Sequence, residues 1–191
     1  MPIQITTEQV KELRDSTGIS VMQCKRALEE AEGNKEKALA ILKKTSSEIA
    51  LKKVNREVKD GAVMIKTKGN KMVLVSLYCE TDFVSRNNDF TTLLGKLGDK
   101  ALAEGIEKVK KEAKEMIDPV IQKTGENIQF GDTYEVSGDV LGNYVHNNKI
   151  AVMVSLTGGN AELAKDVAMH IAAMKPEFLT PEEITPDAKK T

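Results

Sequence analysis

The run MVLVSLYC at residues 72–79 constrains the fold more than any other part of the sequence. Its residues are apolar at both odd and even positions, which is typical of a strand that is covered on both faces. Gly69 and Asn70 precede this run, and a second β-rich run lies at residues 62–66. A Gly-Asn pair between two such runs is a hairpin signal, so the sequence predicts a hairpin whose second strand is central in a sheet.

The start of the chain has a different periodicity, which indicates three short helices over residues 1–45. Thr6 and Gln9 have the spacing of a capping box, and Gly18 supplies a helix stop. Gly33 closes a second helix, and a third follows. The fold class is therefore predicted to be α+β, with a three-helix bundle before a sheet-containing core.

Residues 46–60, between the bundle and the core, are predicted to form a basic helical linker. Few acidic residues lie here and little apolar content follows Leu51, so a solvated helix is the favoured interpretation. A stripe that binds phosphates is the alternative. The basic residues in and beside this segment are Lys43, Lys44, Lys52, Lys53, Arg56 and Lys59.

The first half of the core is predicted to span residues 61–138 and to continue from the hairpin into two helices and a strand. The second of these helices is expected to end at Asp118, because Asp118 and Pro119 match the N-cap and the first position of a new turn. Gly125 is then expected to stop that turn.

The second half of the core, residues 139–191, repeats the hairpin. Residues 61–77 resemble residues 138–156, which indicates a duplicated unit of a β-hairpin followed by a helix. The second copy is incomplete, so we expect a homodimer to cover its exposed surface, with cover by the first copy as the alternative. The side chains expected on the buried face of its helix are Leu163, Val167, His170, Ile171 and Met174.

Composition argues against several classes of function. The formal net charge is -1, which disfavours a general nucleic-acid binder. Only two histidines are present and no P-loop or other catalytic motif occurs, so we expect no enzyme activity, cofactor or metal ion. Cys24 and Cys79 are expected to be reduced thiols, and no apolar run approaches the roughly 18 residues of a membrane span. The sequence therefore predicts a cytoplasmic binding protein that contacts no membrane.

Six short segments resemble the bacterial translation elongation factor Ts family, whose members are nucleotide-exchange factors for elongation factor Tu. They occur in the family's order over nearly the whole chain, and TDFV is the most specific. The chain lacks the coiled-coil hairpin and C-terminal module of the long family form, so a short or truncated form is expected. The segments are VKELRDSTG (10–18), MQCKRAL (22–28), CETDFV (79–84), GENI (125–128), GDVLG (138–142) and AMHIAA (168–173).

The resemblance implies a bundle of the ubiquitin-associated type followed by two related α+β subdomains. It also implies that the chain binds elongation factor Tu·GDP and promotes GDP release by disturbing the Mg²⁺ and phosphate site. Exchange breaks no covalent bond, so no catalytic residue is expected. A small nucleic-acid-binding module is the alternative, because two short helices around Gly18 resemble a helix-turn-helix.

Within TDFV, the resemblance places Asp82 and Phe83 against the GTPase near its bound Mg²⁺. Composition alone favours a core role for Phe83 and a turn or cap role for Asp82. Thr81 and Val84 are expected to hold the loop.

Other partner contacts are implied by the resemblance in the bundle, in the loop after residue 124 and in the second hairpin. Met22, in an interhelical loop, is expected to dock on a helix of the GTPase, whereas for its neighbour Val21 docking and packing inside the bundle are equally favoured. The residues given a contact role are Arg14, Val21, Met22, Lys25, Gly125 and His146.

Overall fold

The computed structural model of the chain describes residues 5–184. Within that range three helices come first, and a core with two antiparallel sheets follows, which confirms the α+β class. A short 3₁₀ turn at Pro181–Glu183 is the last described element. In chain order the helices and strands are α1 (Thr7–Thr17), α2 (Val21–Glu30), α3 (Lys35–Lys53), β1 (Asp60–Lys68), β2 (Lys71–Cys79), α4 (Asp82–Ser85), α5 (Asn88–Glu104), α6 (Ile106–Thr124), β3 (Ile128–Ser137), β4 (Val140–His146), β5 (Ile150–Leu156) and α7 (Ala161–Met174).

Helices α1 to α3 pack around a small apolar core of their own. Thr6 begins α1 with the predicted capping box, and Gly18 ends it in the left-handed conformation, with a φ of 67°. Leu13, Cys24 and Leu28 are buried between the helices. Caps at the helix starts and this cluster therefore define the bundle, and Cys24 is a free thiol within it.

Helix α3 extends into the segment predicted to be a helical linker and belongs to both parts of the molecule. It runs without a break through Lys53, so residues 46–53 continue the last helix of the bundle. In this extension Ala50 packs in the core cluster together with Ile121 of α6. The expectation of a solvated linker is wrong for the face of α3 that carries Ala50, because this face is buried against α6.

Polar side chains also fasten α3 to α6. Ser47 Oγ donates a hydrogen bond to Asp118 Oδ2 at 2.7 Å. One turn earlier, the Lys43 ammonium lies 2.8 Å from the Glu115 carboxylate. The bundle is thus joined to the core by a shared helix and by side-chain contacts along it.

The larger sheet has three antiparallel strands in the order β1–β2–β3, so β2 is central as predicted. Gly69 and Asn70 form the turn between the paired strands β1 and β2. All residues at positions 72–77 are buried. Helices α5 and α6 pack on the sheet through residues such as Val75, and the hairpin of β4 and β5 contacts all three strands. Cover on both sides explains the unbroken apolar run.

Helix α6 continues through Pro119, so the predicted break at Asp118 is wrong. Pro119 has no amide hydrogen and leaves one carbonyl of the preceding turn without its helical donor. Asp118 does not cap a new helix, because its buried carboxylate accepts from Ser47 and lies 2.8 Å from the Lys114 ammonium. Contacts with α3 support the helix across the proline.

The second hairpin forms a two-stranded sheet with α7 packed on it. The helix lies so close to β4 that a Cβ atom on Gly142 would be 2.2 Å from the carbonyl carbon of Ala164. Only small side chains fit into this contact, and the residues that α7 buries are all alanines. The prediction for this helix is therefore wrong for Leu163, His170 and Met174, which are exposed.

A hairpin followed by a helix occurs twice along the chain, once in β1, β2 and the later α5, and once in β4, β5 and α7. The expected domain limits at residues 45, 60 and 138 stay predictions, and residues 1–4 and 185–191 of the outer domains lie outside the described range.

Between residues 5 and 184 there is no helix with the length and apolar character needed to cross a lipid bilayer.

Candidate partner interface

A single helical turn, α4, follows the central strand in place of the loop that was expected around TDFV. Phe83 is 84% exposed, so the assignment of this residue to the core on composition alone is wrong. Val84, the next residue, is buried in the core cluster and anchors the turn. The chain therefore presents an aromatic side chain to solvent from a short element that is itself fixed, which makes Phe83 a candidate anchor for a partner.

Glu126 holds the start of this turn, and the sequence analysis gave it no role. Its Oε2 accepts hydrogen bonds from the amides of Glu80 at 3.1 Å and Thr81 at 3.0 Å. Its Oε1 accepts a hydrogen bond from the Thr81 hydroxyl at 2.6 Å. The sequence separation of Thr81 and Glu126 is 45 residues, so no local spacing predicts the contact. In the sequence, the only indication of a role for Glu126 was its place in GENI, one of the segments that resemble the family.

The same loop brings the predicted contact residue Gly125 next to α4. Gly125 ends α6 with a φ of 78°, a conformation that residues with a side chain rarely adopt. Two residues later, the Asn127 amide donates a hydrogen bond to Glu80 Oε1 at 2.6 Å. Gly125 and the TDFV segment, which are distant in sequence, therefore lie at one corner of the core.

Asp82 remains accessible beside Phe83. Its side chain is 47% exposed and lies 3.3 Å from the Arg86 guanidinium on the next turn. Exposed pairs of this kind contribute little to stability, so little free energy is needed to redirect the carboxylate.

Cys79 ends β2 beneath this corner, and its thiol has a structural role. The Sγ atom donates a hydrogen bond to the Thr81 carbonyl at 3.2 Å. Burial, assisted by the nearby carboxylates of Asp60 and Glu126, raises the pKa of the Cys79 thiol to about 12. The thiol is therefore protonated at neutral pH and is a poor nucleophile. Over residues 5–184, no group of three His, Cys, Asp or Glu side chains is arranged to hold a metal ion.

Val21 and Met22 form the first turn of α2 and do not lie in a loop as predicted. They are 53% and 65% exposed, whereas Ile19 just before them is buried. The Ser20 hydroxyl caps the helix, so both apolar side chains stand on a rigid element. This exposure favours docking on a partner over packing inside the bundle.

Lys123 of α6 connects the bundle to the core near Gly18, the residue that ends α1. A Cβ atom on Gly18 would lie 2.2 Å from Lys123 Nζ, so the lysine rests directly on the glycine. The same ammonium lies 3.0 Å from the carboxylate of Asp89 at the start of α5. The charged candidates Arg14 and Lys25, on the adjoining helices α1 and α2, are both exposed.

His146 is exposed at the end of β4, in the predicted hairpin turn. The turn residues Asn147 and Asn148 have φ values of 49° and 55°, which asparagine tolerates better than most residues. His146 Nδ1 lies 3.0 Å from the Tyr144 hydroxyl, and His146 Nε2 lies 3.2 Å from Asn147 Nδ2. These contacts orient the imidazole ring at the tip of the hairpin.

Comparisons with known proteins agree on one family. The family model described as Elongation factor TS matches residues 80–191, which is more than half of the chain. Elongation factor Ts of Hahella chejuensis is 44% identical over 188 residues, which cover 95% of this chain and 66% of the relative. Elongation factor Ts of Pseudomonas savastanoi pv. phaseolicola is 41% identical over 190 residues, which cover 97% of this chain and 66% of the relative. The chain thus spans 66% of the length of these two curated relatives.

Proposed function

This chain belongs to the elongation factor Ts family, and on that premise we propose that it binds the GTPase elongation factor Tu in its GDP-bound form and promotes GDP release. The proposal concerns only the residues of this chain, which spans 66% of its relatives' length. The observation that carries it is Phe83, which is 84% exposed on a turn whose N-cap residue, Thr81, is fixed by Glu126.

Phe83 and Asp82 supply complementary ways to loosen a Mg²⁺ and phosphate site. An aromatic ring on a fixed turn loses little conformational entropy when it inserts between elements of a partner. A carboxylate brought close to the groups that surround Mg²⁺ competes electrostatically with the oxygen ligands that the metal requires. Thr81 and Val84 hold this pair in place, Thr81 through Glu126 and Val84 through the core.

Nucleotide release then follows from thermodynamic linkage. If the chain binds the nucleotide-loosened state of the GTPase more tightly than the GDP-bound state, it weakens GDP binding by the ratio of those two affinities. By the same linkage, nucleotide weakens binding of the chain, so exchange needs no covalent step and no cofactor. The coupling free energy between such sites is typically about 1–3 kcal/mol.

We assign the remaining predicted contacts to the same partner. The exposed Val21 and Met22 suit docking on an apolar helix face, with Arg14 and Lys25 as flanking charges. Gly125, beside α4, and His146, at the hairpin tip, extend the surface across the core.

We further propose that α1 to α3 form a bundle of the ubiquitin-associated type and that the two hairpin-and-helix units are duplicates. Three short capped helices around a small apolar cluster support the first point. The repeated order of elements supports the second. We also propose a cytoplasmic location, because translation elongation takes place there.

The charges of the basic segment argue against the nucleic-acid alternative. Lys53 donates a hydrogen bond to the carbonyl of Gly125, and the Arg56 guanidinium lies 3.4 Å from the Glu80 carboxylate. Lysine and arginine side chains that already have partners within the protein are less free to neutralise phosphates.

Release of a fluorescent GDP analogue from elongation factor Tu tests the proposal. We expect the full chain to accelerate release in a concentration-dependent manner, and Phe83→Ala to reduce that acceleration. A mobility shift with DNA or RNA serves as the comparison, because counterion release would make such binding weaken steeply with salt. Salt-dependent nucleic-acid binding without accelerated GDP release would overturn the proposal.

We also propose that the chain forms a homodimer through the second hairpin or α7. Helix α7 exposes the apolar side chains of Leu163 (49%), Met169 (39%) and Met174 (66%), with Asp166 and His170 exposed between them. Exposed apolar patches of this kind are commonly covered by association, and a two-fold axis would let the same patch cover its twin.

Light scattering measures the oligomeric state directly. At a chain concentration of about 100 μM, well above the micromolar range of modest affinities, we expect twice the monomer mass. Leu163→Lys should shift the mass towards the monomer, and a monomeric mass for the unsubstituted chain would rule out the dimer.

A further inference from the structure

Lys149 links the His146 hairpin to the turn that carries Phe83. Its ammonium donates hydrogen bonds to Asp60 Oδ1 at 2.5 Å and to the Gly61 carbonyl at 2.5 Å, both at the start of β1. A third contact reaches Ser85 Oγ, the last residue of α4, at 3.4 Å. The three hydrogens of one ammonium group therefore have partners on two elements outside the hairpin.

The backbone of the same residue fixes the hairpin turn. The Lys149 amide donates a hydrogen bond to the His146 carbonyl at 2.9 Å, and the Asn148 carbonyl accepts one from the Val63 amide at 2.8 Å. In α4, where the Lys149 side chain ends, Ser85 is buried and its hydroxyl donates a hydrogen bond to the Asp82 carbonyl at 3.1 Å. One residue thus connects the peptide group of His146 with the hydroxyl that braces α4.

The link adds a polar connection at the hairpin tip to the contacts that the hairpin makes with the strands of the larger sheet. Strands β4 and β5 form their own two-stranded sheet, outside the hydrogen-bonded ladder of β1 to β3. An isolated two-stranded hairpin is marginally stable in water, so its placement depends on packing with α7 and with the larger sheet and on the contacts at its tip.

The ion pair at the tip is partly shielded from water. The side chain of Lys149 is 42% exposed and that of Asp60 is 24% exposed. Burial raises the pKa of Asp60, but hydrogen bonds from Lys149 and the Gly61 amide help to offset this, and that pKa is held below its usual value. The carboxylate is therefore charged, and the pair is intact, at neutral pH.

We propose that Lys149 is a positioning residue for nucleotide exchange, which holds His146 and Phe83 at the separation that the GTPase requires. This inference rests on the proposed function. A partner that contacts both residues gains most when their separation is fixed before binding, because less conformational entropy is then lost on association.

The substitution Lys149→Met in the whole 191-residue chain removes the ammonium and keeps the aliphatic stem. We expect it to raise the concentration needed for half-maximal GDP release about tenfold, within the range of measured coupling between neighbouring groups. Lys149→Arg, which keeps the charge, should restore part of this loss, and Asp60→Asn should weaken release in the same direction. The matched control is Lys71→Met, since Lys71 lies 2.8 Å from Glu135 with similar burial at the far end of the sheet.

A double-mutant cycle separates positioning from general stabilisation. If Lys149 acts through His146, Lys149→Met should add less than about twofold to the loss in a His146→Ala background. Losses that multiply, or equal losses for Lys149→Met and Lys71→Met, would overturn the inference.

A measurement without the GTPase separates this inference from the proposed function. Hydrogen exchange of the Val63 amide reports whether the hairpin tip is held, because that amide donates to the Asn148 carbonyl. We expect faster exchange in Lys149→Met and in Asp60→Asn, and unchanged exchange in both would refute the link. A wild-type chain that fails to release GDP would instead refute the proposed function alone.

Discussion

Phe83 and Phe90 are close in sequence but have opposite environments: Phe83 is 84% exposed and Phe90 is completely buried. Phe90 lies in the first turn of α5, where it packs in the core cluster with the strands of the larger sheet. The first aromatic is therefore free to contact a partner, and the second stabilises the fold. Substituting each phenylalanine by alanine therefore compares the loss of an exposed ring with the loss of a buried one.

Phe83→Ala should leave stability almost unchanged and reduce the rate of GDP release at least about tenfold, as expected for an interface anchor. Phe90→Ala should instead lower the free energy of unfolding by about 3–5 kcal/mol. Thermal unfolding and release of a fluorescent GDP analogue measure the two effects. A strongly destabilised Phe83→Ala protein, or one with normal exchange, would contradict the assignment.

Glu126→Ala should weaken exchange about fivefold, because the fixed geometry of the Phe83 turn lowers the cost of binding. The substitution removes three hydrogen bonds at Glu80 and Thr81, so we also expect a stability loss of about 1–3 kcal/mol. Urea unfolding and GDP release measure the two losses. Glu107→Ala is the control, since the Glu107 side chain is 80% exposed on α6. Equal exchange rates for the two variants would exclude a role for Glu126.

Removal of residues 1–33 should weaken partner binding and leave the core folded, because α3 remains in place against α6. Removal of residues 1–54 should in addition destabilise the core, since it takes away Ala50, Ser47 and their contacts. Urea unfolding of both truncated chains tests this difference. Identical unfolding curves would show that α3 contributes nothing to the core.

Stability should fall between pH 9.0 and about 12 in part because of Cys79, whose pKa is raised from an ordinary value of 9.0 to about 12 in the folded chain. In this window the folded state retains a proton that the unfolded state has lost, so rising pH favours unfolding. Cys79→Ala should therefore lose stability less steeply as the pH rises. Urea unfolding at several alkaline pH values measures the slopes, and parallel slopes for the two proteins would contradict the prediction.

The sequence predicted correctly those structural elements that are determined by a few neighbouring residues. The capping box of Thr6 and Gln9, the stop at Gly18 and the Gly69-Asn70 turn each depend on a few neighbouring residues. The apolar run of β2 likewise identified the central strand, because cover on both faces is a property of that run itself.

The failures share a tertiary cause. Helix α6 continues through Pro119 because Asp118 is held by Ser47, a residue of another helix. Leu163 is exposed because Gly142, on a strand, lets α7 approach until only alanines fit. Spacing within one segment carries no information about such partners.

In the candidate site, too, some features could be predicted from the sequence and others depend on tertiary contacts. The exposure of Phe83 followed from its resemblance to the family and not from its composition, which favoured the core. The role of Glu126 depends on a contact with Thr81 that forms only when the chain folds, so local spacing did not predict it.

The central position of β2 also sets the order in which the sheet can assemble. β1 is available at once across a two-residue turn, but Cys79 pairs with Ile128, and β3 can join only after α4, α5 and α6 have been synthesised. Non-local strand pairing is slow because the loop must close before the contacts form. Until β3 docks, the nascent chain exposes one edge of its most apolar strand, and this interval is when it is most vulnerable to aggregation.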